Sequence, residues 1–261
     1  MRSAFWKTAR KLFNLLFPDD CRVCGRPLQN VSRTPVCAEC LRAPEPLVAD
    51  YYCTCCRTPF LNAAPLDEEG RCALCRRGLR GFDAAYSFGA YESTLRELIH
   101  LFKYGRIRPL AGRLGELMVS AIPRDQTFDL VVPVPLHWRR RLERGFNQSE
   151  LLARAVARRY GARPVNAMRR KRSTSAQAGL SNAKRRSNVA GAFVARRRAD
   201  LDGRRVLLVD DVMTTGATLG SCAAALKRAG ARYVAVLTLA RVDRRTGVEP
   251  YAPVSTAVGV S

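Results

Sequence analysis

The 261-residue sequence contains no apolar run long enough to span a bilayer, which takes about 20 residues. Its first 18 residues are also a poor secretory signal, because Lys7, Arg10 and Lys11 interrupt the apolar residues and no small-residue cleavage site follows. Apolar residues recur there at helical spacing instead, which predicts an amphipathic helix over residues 1–18. These absences favour a cytoplasmic protein without a membrane span.

Acidic residues are scarce: 22 Asp and Glu stand against 45 Lys and Arg, a formal net charge of +23. The imbalance is concentrated in residues 131–205, where 20 basic residues face 4 acidic ones. Such a concentration indicates a polyanionic partner, either the phosphates of a small molecule or a nucleic-acid backbone. The alternative is an arginine-rich proteome whose charged side chains are simply solvated.

Nine of the ten cysteines lie between residues 21 and 75. CRVCGRPL (21–28) aligns with CTCCRTPF (53–60), which indicates a duplicated unit. In each copy two Cys-x-x-Cys turns can direct four thiolates at one metal, the closed tetrahedral arrangement of structural zinc. We therefore expect two zinc ions, one held by Cys21, Cys24, Cys37 and Cys40 and the other by Cys53, Cys56, Cys72 and Cys75.

Other uses of these cysteines are less favoured or stay open. A disulfide framework is disfavoured because no secretory signal precedes the cysteines. A mononuclear iron or an iron–sulfur cluster uses similar ligands and stays open. Cys55 aligns with Val23 of the other copy and is expected to be a spare thiol, whereas the helical spacing around Cys222 predicts a core residue.

From about residue 82, buried strands alternate with helices. The strands are expected at 84–91, 129–135, 204–211 and 232–240, with helices between them. One helix, 147–161, has Asn147 as its expected N-terminal cap and Gly161 as its end. This alternation predicts an α/β fold in which helices cover both faces of a parallel sheet. In such sheets the ligand binds beyond the carboxyl ends of the strands.

The stretch VLLVDDVMTTGATL (206–219) falls at such a strand end. It lacks the lysine that a nucleotide-binding P-loop requires. Its two carboxylates, Asp210 and Asp211, can accept hydrogen bonds from the vicinal diol of a ribose, directly or through a metal. The following backbone N–H groups and threonine hydroxyls, at the start of a helix, can hold a phosphate. The stretch therefore predicts a site for a ribose 5-phosphate.

VLLVDDVMTTGAT also resembles the thirteen-residue phosphoribosyl-pyrophosphate (PRPP) motif of type I phosphoribosyltransferases. VVPVPLHWRRRLERGFNQSELLA (131–153), RKRSTSAQAGLSNAKRRSNVAGAF (170–193) and the doubled cysteine units together resemble the ComF family of competence-associated proteins, over roughly residues 20–242. The resemblance implies a type I phosphoribosyltransferase fold at 81–243, preceded by a double zinc ribbon at 19–80. Residues 244–261 show no helical or alternating pattern, which predicts a flexible tail.

The same resemblance implies roles for particular residues. The acidic pair would bind the ribose diol, and a loop at 169–188 would close over PRPP. The catalytic set would be Asp210, Asp211, Arg172 and Gln177. The PRPP-binding set would be Asp210, Asp211, Val212, Met213, Thr214, Thr215, Gly216, Ala217, Thr218, Leu136, His137, Arg144 and Asn147. Lys103 and Tyr104 also resemble a family position near the site.

The activity implied is displacement of pyrophosphate from PRPP, bound with Mg²⁺, by an unidentified nitrogen acceptor, linked to DNA uptake in natural competence. The alternative is a competence factor that senses PRPP without catalysis or binds single-stranded DNA. In that case residues 131–205 would follow the phosphate backbone, and Trp138 and Phe146 would stack on bases. PRPP, single-stranded DNA and proteins of the competence machinery are therefore the expected partners.

Overall fold

The computed structural model describes residues 19–28, 33–78, 81–171, 191–196 and 199–242. The expected helix at 1–18, the tail at 244–261 and most of the 169–188 loop, including Arg172 and Gln177, lie outside these residues. Among the residues described, no helix combines the length and apolar character that crossing a bilayer requires.

Nine strands belong to the described residues. They are β1 (Tyr51–Tyr52), β2 (Pro59–Phe60), β3 (Ala84–Ala90), β4 (Leu130–Pro133), β5 (Arg163–Pro164), β6 (Met168–Arg170), β7 (Phe193–Ala195), β8 (Arg205–Met213) and β9 (Tyr233–Arg241). Five of them form a parallel sheet in the order β3-β9-β8-β4-β5. The pairs β1-β2 and β6-β7 are small antiparallel sheets. The parallel sheet confirms the predicted fold class.

Seven helices accompany these strands in the described part of the chain. They are α1 (Ala38–Arg42), α2 (Ala73–Arg76), α3 (Ser93–Lys103), α4 (Leu110–Ser120), α5 (Trp138–Arg144), α6 (Gln148–Tyr160) and α7 (Ala217–Arg228). The predicted ends of α6 are confirmed: the Asn147 side chain accepts a hydrogen bond from the Ser149 backbone N–H, and Gly161 closes the helix in the left-handed conformation.

Alternate residues of the central strands pack into two separate cores. Leu207 and Val209 of β8 lie in the core formed with α3, α4 and α6. Val206 and Leu208 lie in the core formed with α7, β6 and β7. Burial on both faces explains why these strands are continuously apolar, since a half-exposed strand would alternate with polar residues.

Two elements differ from expectation. Strand β8 continues beyond its expected end at residue 211 to Met213, and Asp210 lies opposite Thr238 of β9. Helix α5 occupies residues for which the sequence predicts no helix. It escaped prediction because its sequence, WRRRLER, has no apolar face: the side chain of Leu142 is 73% exposed.

The two cysteine units pack against different cores. Cys21 and Cys40 of the first unit join the core that contains α3 and α4, while Cys53 and Cys56 of the second join the core that contains α7. The buried Arg241, at the end of β9, donates hydrogen bonds to the Cys56 carbonyl at 2.7 Å and the Thr58 hydroxyl at 2.9 Å. The domain boundary between residues 80 and 81 stays a prediction.

Candidate functional site

A cleft of about 280 Å³ opens at the carboxyl ends of β4 and β8, where the sequence predicts a ligand site. Most of the predicted PRPP-binding residues line it. These are Leu136, Arg144, Asp210, Asp211, Val212, Met213, Thr214, Thr215, Gly216, Ala217 and Thr218. The structure thus brings the acidic pair, the threonine-rich loop and the turn after β4 into one space.

The acidic pair forms the floor of this cleft. Oδ1 of Asp210 accepts a hydrogen bond from the Ser149 hydroxyl at 2.8 Å and from the backbone N–H of Asp211 at 2.9 Å. Oδ1 of Asp211 lies 2.8 Å from Nζ of Lys103, and each of these two side chains is 13% exposed. Both carboxylates are therefore held in position, one by a hydroxyl and one by a cation from the end of α3.

Burial and the neighbouring charges shift the pKa values of this group. Burial, followed by the negative charge of Asp211, raises the pKa of Asp210 to about 7, against the lowering effect of the Ser149 hydrogen bond. Burial acts to lower the pKa of Lys103, but the adjacent carboxylate of Asp211 outweighs it and the net shift is upward. Lys103 therefore stays charged at neutral pH, whereas Asp210 changes its charge near neutrality.

The loop after β8 leads directly into α7. Gly216 occupies the cap position of that helix with φ of 77°, a conformation that costs a side-chain-bearing residue energy. The hydroxyl oxygen of Thr215 accepts a hydrogen bond from the Ala217 backbone N–H at 3.3 Å. The first N–H groups of α7 thus line the cleft, where the helix dipole and these donors favour a phosphate.

Three arginines from two different segments supply positive charge to the cleft. Arg140 and Arg144 come from α5, and Arg170 comes from the end of β6. Nη1 of Arg144 donates to the side-chain oxygen of the buried Gln148 at 3.1 Å, which fixes its direction. Guanidinium groups in such a setting suit phosphate or pyrophosphate oxygens.

Two predicted binding residues lie outside the lining of the cleft. His137 caps α5, and its ring centroid lies 5.6 Å from that of Trp138. Asn147 is buried, and its amide nitrogen donates to the Val134 carbonyl at 3.1 Å. Because Asn147 also caps α6, it joins β4 to that helix and so positions Ser149.

Phe146 does not match the expected stacking role. It is 8% exposed and packs against Phe102 with ring centroids 5.7 Å apart, so its face is not available to a base. The sequence pattern could not reveal this, because Phe146 stands in a turn between two helices, where apolar spacing carries no signal. Trp138, by contrast, is 60% exposed.

The cleft also contains residues that the predicted set omits. Tyr91, Lys103, Arg140, Gln148, Ser149 and Arg170 line it as well. Gln148 directly follows the helix cap Asn147, and Ser149 comes one position later, both within segment 131–153. Side chains at the start of this helix face the strand ends. Tyr91 precedes α3, and Lys103 is the last residue of that helix. The resemblance placed Lys103 near the site, and it lines the cleft, whereas no sequence pattern pointed to Tyr91.

Both cysteine sets have the geometry of a metal site. In each set the four Sγ atoms lie within 4.8 Å of one another. The Sγ–Sγ distances of 3.8 Å for Cys24–Cys37 and 3.7 Å for Cys56–Cys72 match the roughly 3.8 Å edge of a tetrahedron with 2.3 Å Zn–S bonds. Backbone N–H groups also point at sulfur, as from Cys72 to Cys53 at 3.3 Å. Each set therefore fits zinc.

Cys55 and Cys222 lie outside these two sets. Cys55 directs its thiol at the Phe82 and Asp83 carbonyls, at 3.7 and 3.4 Å. Cys222 is fully buried in the core with α7, which confirms its predicted place.

Comparison with known proteins identifies a matching domain family and relatives of this chain. Residues 147–257 match the phosphoribosyl transferase domain family. The DNA utilization protein YhgH of Escherichia coli O6:H1 is 31% identical over 234 residues, covering 87% of this chain and 99% of that protein. Competence protein F of Haemophilus influenzae is 34% identical over 178 residues, covering 65% of this chain and 78% of that protein.

Among solved structures, glutamine PRPP amidotransferase from B. subtilis, complexed with ADP and GMP, matches with a TM-score of 0.36 and 24% identity. The match covers 50% of this chain and 26% of that one, so the chain spans about a quarter of its length.

The parallel sheet, the site at its carboxyl edge and the family match define a protein with a phosphoribosyltransferase-type domain, preceded by two four-cysteine units. Its similarity to YhgH over nearly the whole of that protein places it more narrowly. The chain belongs to the ComF family of competence-related proteins.

Proposed function

We propose that the cleft binds PRPP with Mg²⁺ and that the chain transfers the phosphoribosyl group to a nitrogen acceptor. The observation that carries this proposal is the meeting of two buried carboxylates and a helix-capping threonine loop in one cleft. The ribose diol needs acceptors and the 5-phosphate needs N–H and O–H donors, and the cleft offers each kind of group on a different wall.

Each group of residues has a distinct part in this proposal. Asp210 and Asp211 accept hydrogen bonds from the ribose hydroxyls, and Lys103 holds the Asp211 carboxylate in position. The loop 212–218 holds the 5-phosphate. Arg140, Arg144 and Arg170 lie around the remaining space and neutralise the pyrophosphate.

The reaction breaks the bond between C1 of the ribose and the pyrophosphate oxygen and forms a bond from C1 to nitrogen. Positive charge develops on the ribose ring as the leaving group departs, so catalysis is mainly positioning and electrostatic stabilisation. Asp210 and Asp211 would hold Mg²⁺ together with PRPP, and the ion would supply further neutralisation of the leaving group. We expect residues 169–188, with Arg172 and Gln177, to exclude water when they cover the bound PRPP.

The decisive experiment replaces the acceptors. Asp210→Asn plus Asp211→Asn should abolish Mg²⁺–PRPP binding in calorimetry while thermal unfolding stays cooperative, because asparagine keeps the shape but removes the charge. A matched control, Asp50→Asn plus Asp125→Asn, removes two exposed carboxylates outside the cleft and should leave the affinity unchanged. Unaltered PRPP affinity in the first double variant would refute the assignment.

A role in handling single-stranded DNA is a second candidate. It is supported by helix α5, which exposes Trp138 and contributes Arg140 to the cleft, and by the names of the relatives, a DNA utilization protein and a competence protein. Oligonucleotide binding that weakens steeply with salt would support this role. PRPP turnover with a base or amine would support catalysis, and one protein can have both activities. Proteins of the competence machinery are further proposed partners.

A further inference from the structure

A second pocket adjoins the cleft. It has a volume of about 320 Å³ and is called here the basic subsite, lined by Lys103, Tyr104, Arg106, Arg140, Glu143 and Arg144. Lys103, Arg140 and Arg144 also line the cleft, so the two spaces share a wall. Tyr104, Arg106 and Glu143 line the basic subsite alone, which allows the two spaces to be tested separately.

Hydrogen bonds connect the two segments that form the walls of the basic subsite. Nη2 of Arg106 donates to the Glu143 carbonyl at 2.6 Å, and Nη2 of Arg108 donates to the Gly145 carbonyl at 3.1 Å. These two bonds join the turn after α3 to the end of α5. Arg106 adopts φ of 55°, a left-handed conformation that is unusual for a residue with a side chain. The turn therefore holds Arg106 in this place at some conformational cost, which tertiary contacts offset.

The charge of the basic subsite is not balanced. Among the ion pairs of the described residues, none involves Arg106, Arg140 or Arg144. Lys103 is already matched by Asp211, and Glu143 is the acidic residue of the lining. Three guanidinium groups without a carboxylate partner converge on a pocket, which favours an anion with several oxygens.

One wall of the subsite is aromatic. The side chain of Tyr104 is 64% exposed, and the guanidinium of Arg144 lies 5.1 Å from the centre of its ring. Nη2 of Arg144 also lies 3.5 Å from the Tyr104 hydroxyl, so the ring has a preferred orientation. An exposed ring beside cations offers a stacking surface for a planar base.

We propose that the basic subsite is a second ligand site, which takes a nucleotide with its phosphate on the arginines and its base on Tyr104. The pocket volume lies at the lower end of the range for small ligands, which suits one nucleotide unit. The nucleotide is either free or part of a strand, since both present the same phosphate and base. A role for this nucleotide as the second substrate rests on the proposed function. Its binding to the basic subsite does not.

The test measures binding of thymidine 5′-monophosphate to the full chain, with and without saturating Mg²⁺–PRPP. Its deoxyribose lacks the diol that the acidic pair is proposed to bind. Simultaneous binding with PRPP is expected because Tyr104 and Arg106 line the basic subsite and not the cleft. Thymidine, which lacks the phosphate, should bind at least about tenfold more weakly. A (dT)4 oligonucleotide that binds at least about tenfold more tightly would identify a strand as the source, and equal affinity would identify the free nucleotide.

Two variants and a control locate the bound nucleotide. Arg106→Gln should weaken its binding about tenfold, the effect of one charge-assisted hydrogen bond. Tyr104→Leu should weaken it at least about fivefold through lost stacking, and it leaves the Arg106–Glu143 bond in place. Arg124→Gln removes one exposed charge in the segment between α4 and β4 and should change nothing. PRPP affinity should be the same in all three, which also shows that they fold.

Two results would overturn the proposal. If PRPP displaces the nucleotide and both subsite variants bind it normally, the nucleotide occupies the cleft. If Arg124→Gln weakens binding as much as Arg106→Gln does, the attraction is general electrostatics. A third result would separate the two proposals. If the chain does not bind PRPP but still binds the nucleotide in a way that depends on Arg106, the proposed function is rejected and the basic subsite is retained.

Discussion

The cysteine units and the cleft both gather polar side chains, but they differ in where those side chains come from. Each four-cysteine set comes from one stretch of fewer than 25 residues and completes its own site. The cleft draws Lys103, Ser149, Arg170 and Asp210 from separate elements across the sheet. A self-contained site chiefly stabilises its own segment, whereas a composite site depends on the fold. We therefore expect losses in the cysteine units to unfold the protein and losses in the cleft to weaken binding.

The largest effect should follow loss of a ligand in the second cysteine set. Cys53→Ser removes a fully buried ligand from a segment with little core of its own, so it should cost more than about 4 kcal/mol of unfolding free energy. Denaturant unfolding and zinc content of the purified protein are the measurements. Cys55→Ser is the matched control, because Cys55 lies outside the set and serine retains a donor for the nearby carbonyls; it should cost below about 1 kcal/mol. If Cys53→Ser lost PRPP binding but kept an unchanged unfolding curve, the cysteine unit would serve binding and not stability, contrary to this expectation.

Lys103→Met should have the next largest effect. Although Lys103 lies in the cleft, its loss should lower stability as well as PRPP binding. It leaves two buried carboxylates without their cation, which should cost about 3–5 kcal/mol of stability in addition to weakening PRPP binding. The loss should be larger at pH 8 than at pH 5, where Asp210 is protonated. Adding Asp211→Asn to Lys103→Met should restore much of the stability, as a double-mutant cycle would show. Strictly additive losses would mean that Lys103 and Asp211 do not interact.

A smaller effect is expected in the phosphate loop. Gly216→Ala places a side chain at φ of 77°, which should cost about 1–2 kcal/mol of stability and lower PRPP affinity as the loop shifts. Gly112→Ala is the control, because Gly112 lies in α4 with open space around the position of an added methyl group. That change should leave PRPP affinity intact and raise stability slightly. Equal PRPP affinity in both variants would show that the loop conformation is not needed for binding.

The sequence predicts what local patterns encode. The cap and end residues placed α6, and the continuous aliphatic runs placed β8 and β9 on a parallel sheet. Contacts between distant segments were not foreseeable in this way. The Lys103–Asp211 pair joins residues more than 100 positions apart, and the hydrogen bond from Ser149 to Asp210 spans 61 positions. Helix α5 has no amphipathic pattern, so only the family resemblance assigned Arg144 to the site, and Arg140 could merely be counted as basic.

The smallest expected effect is a shift in pH dependence, and it tests whether the floor of the cleft acts as one unit. Burial and the charge of Asp211 raise the pKa of Asp210 from 3.8 to about 7, so between these values the folded chain holds a proton that the unfolded chain has released. Stability should therefore fall as pH rises through that window and level off above it. PRPP affinity should rise as the pH passes about 7, because the ionised carboxylate is the better acceptor for a diol.

Ser149→Ala removes the hydroxyl donor that lowers the pKa of Asp210, so the midpoint of PRPP affinity should move to higher pH. Ser120→Ala, which loses only a hydrogen bond to the Leu117 carbonyl within α4, should keep the original midpoint. Calorimetric titrations from pH 5.5 to about 8.5 would measure both midpoints, a range that brackets the raised pKa. An unchanged midpoint in Ser149→Ala would mean that this hydroxyl does not tune the acidic pair. The cleft would then depend on the fold for its shape but not for its charge.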